Sequence, residues 1–570
     1  NPTAGVATIY EHVKILRELG FNAQILHDKN DYKLRGDEEG MGIAEWLGEE
    51  YAELPHISIE SQTLKVGPQD FVIIPEAFAS IMKQTVNFPC KRIVFLQSYE
   101  YIFEMLEIGE NWNAFGINEV ITTNENLKTY VESIFRNLVT EVIPVGIPNY
   151  FKNSDKPKIP TIAISARDKR ELLKIVKVFF QKYPHYRFVT FRDMSGLPRK
   201  EFAKTLSESF LGVWVDELSS FGTFPLEAMK SKTPVIGKIP RMIPEWMGET
   251  DENGSLKLID NGVWVTNLNA IPDMISTMVG LYLEDALPQN VLSKKKKLQQ
   301  NKKIIMKTDI SLIIPIHKLD DSVSEYFEKA IKSVNEQKTL PDEVLIVHAK
   351  NKKLKDFLNS FEYGDISSIT KVVENKSGDY DFQSQINYGV EQSTSKYFSF
   401  LEYDDSLSPI WFDNVVKYRD AYPEVGVFLP IIFECNENGE FISFTNENVW
   451  VQNVSESMGL LDNETLHKIQ NFNFDGMVVN KELFKEHGGL KKHMKLTFTY
   501  EFLLRLSYLD VQIMVIPKLG YKHINNRAGS LFDEYKNNIN VIESKFWVNK
   551  AKKEYFFTED REITYEVETT

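Results

Sequence analysis

The side chains best suited to metal chemistry form an acidic group that follows an apolar run. The stretch KYFSFLEYDDSLSP, residues 396–409, places Glu402, Asp404 and Asp405 directly after a predicted strand. Carboxylates this close repel one another unless a cation or hydrogen bonds compensate their charge. Oxygen ligands suit Mg²⁺ or Mn²⁺, so the spacing predicts a divalent-metal site. The alternative is an acidic turn that caps a helix beginning near Pro409.

A second candidate site is a glycine turn that leads into a helix. The stretch ELSSFGTFPLEAMKSKTPVIG, residues 217–237, predicts a loop, a helix and a buried strand. Backbone amides at a helix N-terminus can bind phosphate without any positive side chain. Glu227, one turn into the helix, can accept hydrogen bonds from sugar hydroxyls. The candidate ligand-binding positions of this turn are Ser219, Ser220, Phe221, Gly222 and Thr223.

Three cations follow a predicted strand upstream of the glycine turn. In TIAISARDKRELLK, Arg167, Lys169 and Arg170 come after the apolar run 161–165. At the carboxyl edge of a parallel sheet such cations could neutralise a diphosphate. The alternative is a charged loop and an ordinary helix start.

The elements that must position these groups are parallel α/β units. Short apolar runs alternate with helical patterns up to about residue 292, which predicts parallel sheets. A helix is expected from Val6 to Leu19 and a strand at 22–26, and a further strand is expected to precede residue 1. A polar, proline-rich segment, 146–160, predicts a division between two sheets, with a ligand cleft between them. The predicted strands of this half are 71–77, 92–98, 119–123, 140–146, 161–165, 186–191 and 210–215.

A lysine-rich stretch separates this half from a third predicted sheet. That sheet opens with a strand at 310–317, a helix at 326–337 and a strand at 343–349. The lysines predict a solvated linker, and the alternative is a basic contact with a membrane or nucleic acid. The expected division of the chain is an N-terminal Rossmann-like domain 1–155, a donor-binding domain 156–292, a linker 293–308, a third domain 309–535 and a tail 536–570.

Composition restricts the classes of partner. The formal net charge is -15 over 570 residues, which argues against a surface that binds polyanions over its whole extent. Cys90 and Cys435 are the only cysteines and have no metal-ligand spacing, so a reducing compartment is expected. Neither a membrane-spanning run nor a signal peptide is evident. The expected location is cytoplasmic or peripheral to a membrane.

Residues 140–151, TEVIPVGIPNYF, and 219–237 resemble the interdomain segment and donor-site motif of family 4 glycosyltransferases. The resemblance covers about 1–292 and implies two facing Rossmann-like domains, called GT-B, with retaining transfer and no metal. It implies that Glu227 binds the donor ribose. Ser219 stands where the family has a first glutamate, and Glu217 lies two residues earlier.

The same resemblance assigns charged and glycine positions. It implies that Arg167, with Lys169 or Arg170, stabilises the leaving diphosphate, which would be the main catalytic contribution. Gly5 resembles the glycine of the family's N-terminal loop.

Residues 310–351 and 385–409 resemble the opening and the metal motif of family 2 glycosyltransferases, which have a GT-A fold. The match covers about 309–530 and implies inverting, metal-dependent transfer. Asp404 matches the metal-binding aspartate, and Glu402, Asp405 and His523 are further candidate ligands.

Other positions of this family correspond less closely. TYEFLLRL, residues 499–506, resembles a helix that carries the catalytic base, which implies that role for Glu501. Tyr500 replaces the usual glutamate before it. His348 stands where a base-recognising aspartate is usual, and Asn387 belongs to the Asn-x-Gly helix, so both are candidate donor-binding residues.

Together the resemblances imply a tandem, bifunctional glycosyltransferase. Each module would use its own UDP- or GDP-linked sugar, with Mn²⁺ or Mg²⁺ only in the GT-A module, and would extend a glycan or another hydroxyl acceptor. One alternative is a transferase that modifies hydroxylated DNA bases, and another is that one module is a non-catalytic binding scaffold. Residues 430–470 are expected to shape the acceptor pocket. The sequence leaves the oligomeric state open.

Overall fold

The computed structural model describes most of the chain between residues 3 and 565. The predicted lysine-rich linker lies outside the described residues except for Lys307 and Thr308. Within 3–565, the residues not described are 31, 37–39, 62, 105, 251–255, 288–306, 320–322, 378, 380, 526, 528–529 and 531–538.

The chain begins with an amphipathic helix, α1 (Ala4–Glu18), whose N-terminus is capped because Thr3 Oγ1 accepts a hydrogen bond from the Val6 amide. A strand, β1 (Ile25–His27), then pairs in parallel with β2 (His56–Ser58). Gly5 therefore lies in the first turn of α1, not in a loop, and its carbonyl accepts a hydrogen bond from the Gln97 side chain. Two short helices separate these strands, α2 (Ile43–Trp46) and α3 (Glu49–Ala52).

A four-stranded parallel sheet follows, with strands in chain order. Helix α5 begins where the Asn124 side chain accepts a hydrogen bond from the Leu127 amide. The core beside this sheet includes Trp112, which lies in a 3₁₀ turn between β4 and β5 and has no exposed surface. The elements are β3 (Phe71–Pro75), α4 (Ala79–Gln84), β4 (Lys91–Leu96), β5 (Glu119–Thr122), α5 (Glu125–Ile134) and β6 (Val139–Val142).

A five-stranded parallel sheet comes next, in the order β13-β10-β9-β7-β8. The strand predicted at 186–191 is displaced, because Pro184–Tyr186 forms a 3₁₀ turn and the strand begins only at Thr190. The elements are β7 (Ile159–Ala166), α6 (Lys169–Lys182), β8 (Thr190–Asp193), α7 (Arg199–Glu208), β9 (Ser209–Val215), α8 (Thr223–Lys230), β10 (Val235–Lys238), the hairpin β11 (Gly248–Thr250) and β12 (Leu256–Leu258), β13 (Val263–Val265) and α9 (Ile271–Leu283).

The largest sheet has nine strands of mixed direction, in the order β16-β15-β14-β17-β21-β19-β22-β18, and β20 pairs with β19. Its first strands are fully buried and mostly apolar, as expected for parallel strands covered on both faces. The strands are β14 (Ile310–Ile316), β15 (Glu343–His348), β16 (Thr370–Glu374), β17 (Tyr397–Phe400), β18 (Ser406–Leu407), β19 (Val427–Cys435), β20 (Phe441–Thr445), β21 (Val478–Asn480) and β22 (Ile513–Ile524).

Helices cover this nine-stranded sheet, and the last of them lies in the segment expected to be a tail. Trp547 of that helix is buried in the core. The helices are α10 (Val323–Asn335), α11 (Lys352–Ser360), α12 (Phe382–Gln392), α13 (Trp411–Ala421), α14 (Asn463–Lys468), α15 (Lys481–Glu486), α16 (Phe498–Tyr508) and α17 (Val541–Glu554).

The five-stranded and nine-stranded sheets share one buried apolar core. Lys518 of β22 donates a hydrogen bond to the carbonyl of Tyr282 in α9, and its ammonium lies 3.5 Å from Asp285. Phe444, inside the segment expected to shape an acceptor pocket, packs instead against Tyr186, with ring centroids 6.2 Å apart. These contacts fix the two sheets against each other.

The predicted α/β class with parallel sheets is confirmed. Among the described residues, no helix combines the length and the low polarity needed to cross a bilayer.

Candidate active site

The acidic group found in the sequence lies where β17 ends and β18 begins. Strand β18 pairs antiparallel with β22, with Ser406 opposite Lys522. This register brings Asp405 beside His523, whose Nδ1 lies 2.9 Å from Asp405 Oδ2. Asp405 Oδ1 also accepts a hydrogen bond of 2.9 Å from the Ile524 amide. Strand pairing therefore positions the carboxylate from both sides.

A further carboxylate completes this site and was missed from the sequence. Asp475 lies just before β21, is 5% exposed, and has its Oδ2 3.9 Å from His523 Nδ1. One ligand atom from each of Asp405, Asp475 and His523 lies within 4.8 Å of the others. The sequence contained a usable indication, because Asp475 precedes a buried strand in FDGMVV, as Asp404 and Asp405 follow one.

The pKa values of this site reflect the number of carboxyl groups that are buried close together. We call Glu402, Asp404, Asp405 and Asp475 the acidic cluster. Burial, and then the charge of Asp475, raise the pKa of Glu402 well above its ordinary value. Burial likewise raises the pKa of Asp475 to about 7, although His523 opposes this. Burial alone would lower the pKa of His523, but Asp405 and Asp475 raise it well above its usual range.

Asp404 contacts a different cation from the one that Asp405 contacts. Arg527 Nε donates a hydrogen bond of 2.6 Å to Asp404 Oδ2, and its Nη2 donates one of 2.9 Å to Tyr403 Oη. Arg527 is 2% exposed. Next to it lies a cavity of about 20 Å³, large enough for a single water molecule. Its wall includes Pro315, His317, Phe382, Gln385, Glu402, Tyr403, Asp404 and Arg527.

The chemistry of this site fits a divalent cation. Two carboxylates and an imidazole form a mixed oxygen and nitrogen ligand set that can hold a divalent cation. His523 would have to be neutral to act as a ligand, so metal binding there would release its proton. The structure thus joins Asp405 and His523, which the sequence singled out, to Asp475, and places Asp404 beside Arg527.

The two predicted donor-binding residues of the nine-stranded sheet differ in their surroundings. His348 ends β15 fully buried, with Nδ1 2.7 Å from the Ala349 carbonyl, and its Nε2 has no partner among the described residues. Asn387 donates to the Leu490 carbonyl and accepts from the Leu490 amide. The amide of Asn387 therefore ties α12 to a loop, and its contact with a donor stays a prediction.

The predicted catalytic base, Glu501, lies within a fully buried ion network. Its Oε1 lies 2.8 Å from Lys491 Nζ and 2.9 Å from Arg505 Nε, and none of the three side chains is more than 1% exposed. Lys491 Nζ also donates to the Glu554 carbonyl at the end of α17. The catalytic role of Glu501 stays a prediction, and it would require an acceptor hydroxyl to reach a carboxylate that two cations enclose.

The glycine turn is held by the four-stranded sheet. Ser220 Oγ accepts a hydrogen bond of 3.2 Å from the Tyr99 amide, and the Ser220 carbonyl accepts one of 3.1 Å from Asn124. Gly222 has φ +71°, and a Cβ there would lie 3.0 Å from the Trp214 ring, so a side chain would be strained. Phe221 accepts a hydrogen bond at its carbonyl from Trp246. Helix α8 begins at Thr223, as the sequence predicted.

The cations predicted to bind a diphosphate are each paired with a carboxylate. Arg167 forms two hydrogen bonds of 2.8 and 3.0 Å with Asp216 and donates a third to Tyr101. Lys169 lies 3.8 Å from Asp193. Arg170 lies at the surface and binds Asp168, which caps α6. Glu217, close to the glycine turn, is likewise paired with a cation, Lys238, and Ser219 carries no charge. Neither residue therefore adds an uncompensated charge to this region.

Glu227 is also paired, through a residue that the sequence did not single out. The Arg199 guanidinium of α7 forms an ion pair with the Glu227 carboxylate, and their side chains are 13% and 4% exposed. Arg199 also lies over the Phe151 ring, 5.0 Å from its centroid. A ribose would have to share Glu227 with this buried guanidinium.

Residues 311–488 match the glycosyl transferase family 2 model. This part of the chain is therefore similar to a family 2 glycosyltransferase domain. The matched residues contain β14 except for Ile310, all of β17 and the whole acidic cluster, whereas His523 and Arg527 lie beyond them. Enzymes of this family typically depend on a divalent metal and use nucleotide sugars, in agreement with the ligand set described above.

A curated relative points to the same activity. An alpha-1,6-glucosyltransferase of Actinobacillus pleuropneumoniae serotype 7 is 29% identical over 264 residues, which span 43% of this chain and 76% of that protein. The family 2 domain and this relative together support a glycosyltransferase enzyme.

Solved structures of S. aureus TarS resemble this chain only weakly. Residues 1–349 of TarS are 16% identical with a TM-score of 0.30, over 39% of this chain and 61% of that one. The same TarS segment in complex with UDP-GlcNAc is 15% identical with a TM-score of 0.29, over 40% and 61% of the two chains. This chain thus spans less than two thirds of either TarS chain.

Proposed function

We propose that residues 309–535 form a GT-A module that transfers a sugar from a nucleotide-sugar donor to a hydroxyl acceptor with the help of Mn²⁺ or Mg²⁺. The observation that carries the proposal is the convergence of Asp405 and Asp475, inside the residues that match the family 2 model, with His523, which lies beyond them. A divalent ion held there would neutralise the donor diphosphate as it leaves. The carboxylates hold the ion, and strand β22 fixes the imidazole.

His348 supports the donor end of this proposal. It closes β15 at the carboxyl edge of the sheet, where ligands of open α/β sheets bind. Its Nε2 is buried and has no partner among the described residues, so a UDP- or GDP-linked donor that displaced the groups covering it could form a hydrogen bond there. The family-typical use of nucleotide sugars agrees with this position.

For residues 1–292 we propose a GT-B module that binds a second nucleotide sugar at the glycine turn without metal. The free amides at the start of α8 would meet the diphosphate, and Arg167 would add positive charge. The ion pair between Arg199 and Glu227 favours a second candidate for this half, a binding scaffold without turnover. Both versions predict nucleotide binding, and only the first predicts donor cleavage.

The test is release of nucleotide from a panel of UDP, GDP, CDP and TDP sugars, with Mn²⁺ or with EDTA, by the full chain. Wild type is compared with Asp405→Asn and Glu227→Gln. Release that needs Mn²⁺ and is lost in Asp405→Asn supports the GT-A proposal. Release that persists in EDTA and is lost in Glu227→Gln supports a second active site. Metal-independent release that survives both substitutions overturns both proposals.

A further inference from the structure

Arg527 is the buried cation nearest to the aspartate that the family resemblance assigns to metal. It lies outside the residues that match the family 2 model. Its guanidinium contacts Asp404 at 2.6 Å and Tyr403 at 2.9 Å. It also lies over two aromatic rings, those of Tyr326 at 4.9 Å and Tyr403 at 5.5 Å. A guanidinium so enclosed is the local counter-ion of Asp404.

The charge balance around this contact depends on protons as well as on cations. Two of the four carboxyl groups of the acidic cluster, Glu402 and Asp475, have a raised pKa, and among the described residues the cations that pair with the cluster are Arg527 and, when protonated, His523. A divalent ion adds more positive charge to the cluster than Arg527 does. Asp404 is not one of the three side chains whose ligand atoms converge, but it lines one cavity together with Glu402 and Arg527, so a cation that entered this cavity would compete with the guanidinium for the Asp404 oxygens.

We propose that Arg527 is an exchangeable counter-ion: a divalent metal displaces it from Asp404, and the released guanidinium then binds the diphosphate of the donor. The fork of a guanidinium matches paired phosphate oxygens, and its charge is retained at any pH at which the enzyme works. The inference rests on the proposed GT-A function and adds a residue beyond the matched domain to the donor site. The acidic cluster would then hold the metal, and Arg527 would hold the diphosphate of the donor.

The exchange predicts effects of opposite sign on metal and nucleotide. In Arg527→Ala, Mn²⁺ binds without a competing guanidinium, so its affinity for the full chain should rise by about tenfold. The affinity for UDP or GDP in saturating Mn²⁺ should fall by about tenfold, since a charged partner of the phosphates is lost. Free Mn²⁺ is measured by electron paramagnetic resonance without any donor, and nucleotide binding by calorimetry.

A matched control separates this contact from general loss of positive charge. Lys522→Ala removes an exposed cation of β22 next to His523, over the Phe433 ring, and should change either affinity by less than about threefold. Circular dichroism shows whether Arg527→Ala folds. If it does not, Tyr403→Phe replaces it, because this variant removes the hydrogen bond from Arg527 Nη2. Tyr403→Phe should raise the Mn²⁺ affinity and lower the nucleotide affinity by smaller factors.

The outcomes distinguish this inference from the function on which it rests. If wild type binds Mn²⁺ and a nucleotide, and Arg527→Ala leaves Mn²⁺ affinity unchanged or lower, the exchange is overturned and the GT-A proposal stands. The same holds if nucleotide affinity is unchanged. If wild type binds neither Mn²⁺ nor UDP nor GDP, the proposed function falls, and the exchange falls with it.

Discussion

The acidic cluster and the glycine turn balance their charges in different ways. In the acidic cluster, four carboxyl groups meet Arg527 and His523, and burial raises the pKa of Glu402 and of Asp475. Around the glycine turn, each predicted cation already has a carboxylate partner, as Arg167 has Asp216. The first site gains from an added cation, whereas the second is neutral before any ligand arrives.

This difference separates two routes to binding a diphosphate. A metal site that is short of positive charge attracts the ion and, through it, the donor. A site whose cations are already paired with carboxylates can bind a diphosphate in two ways. Either its ion pairs break, or backbone amides, which have no paired carboxylate, bind the phosphates. The same donor chemistry would therefore depend on metal in one half and on helix geometry in the other.

Breaking the buried pair at the glycine turn should produce the largest effect. Arg199→Met leaves Glu227 buried without its guanidinium, which should cost about 3 to 5 kcal/mol of stability. Arg199→Met with Glu227→Gln should recover much of that loss, because no uncompensated charge remains. Thermal and urea unfolding of the two variants measure the coupling.

An unchanged melting temperature in Arg199→Met would contradict the view that this site is neutralised from within. Glu227 would then be free for a sugar hydroxyl, as the family resemblance implies. In that case the glycine turn and the acidic cluster would differ much less in how their charges are compensated than the ion pairs indicate.

Removing a carboxylate from the acidic cluster should have the next largest effect. Asp405→Asn keeps an oxygen for the Ile524 amide but loses a charged ligand, so metal-dependent transfer should fall on the order of 100-fold, or about 2.7 kcal/mol. Mn²⁺ affinity should fall with it. Glu227→Gln is the matched control, and equal losses of metal-dependent activity in both variants would mean that the two sites do not work separately.

Much of the fold follows from sequence pattern. Apolar runs bounded by turn residues located β3, β5, β9 and β14 to within a residue or two, because a buried parallel strand needs continuous apolar side chains. The start of α8 at Thr223 was also predictable, since glycine before a helix is a local feature. Local rules fail where a proline turn displaces a strand, as before Thr190, and where the strand predicted at 22–26 begins only at Ile25.

The residues that come together in each site were less predictable, because they depend on pairing between strands that are distant in the sequence. Asp475 joins Asp405 through the order β17-β21-β19-β22, which no local pattern specifies. Glu501 has the residue type and helical position of a catalytic base, yet Lys491 and Arg505 enclose it. Motif similarity identifies the residue type, whereas only packing decides whether a carboxylate is accessible.

A buried acid near the glycine turn tests the electrostatics without any ligand. The Glu76 carboxylate accepts a hydrogen bond of 2.7 Å from the Ser98 amide, and the next amide, that of Tyr99, binds Ser220. Burial raises the pKa of Glu76 to about 7. The unfolded chain releases this proton near its ordinary pKa, so folded stability is fully present below that value and falls as the pH rises towards 7.

Glu76→Gln should remove this pH dependence. At pH 8 the variant should be more stable than wild type by about 2 kcal/mol, and the difference should disappear near pH 4. Melting temperatures of both proteins between pH 4 and 8 give the result. A difference that is constant across this range would show that the Glu76 carboxyl is not held neutral.

The smallest effect is expected at Arg170, an exposed cation near the glycine turn. Its exposed ion pair contrasts with the buried pair of Arg199. Arg170 pairs with Asp168, whose Oδ1 also accepts the Arg170 amide and so caps α6. Because water screens so exposed a pair, Arg170→Ala should shift the melting temperature by less than about 1 °C. Nucleotide affinity measured by calorimetry should change by less than about twofold, with Lys169→Ala as the matched control. A tenfold loss in Arg170→Ala alone would mean that Arg170 leaves Asp168 for a phosphate, and that the glycine turn also exchanges its ion pairs on binding.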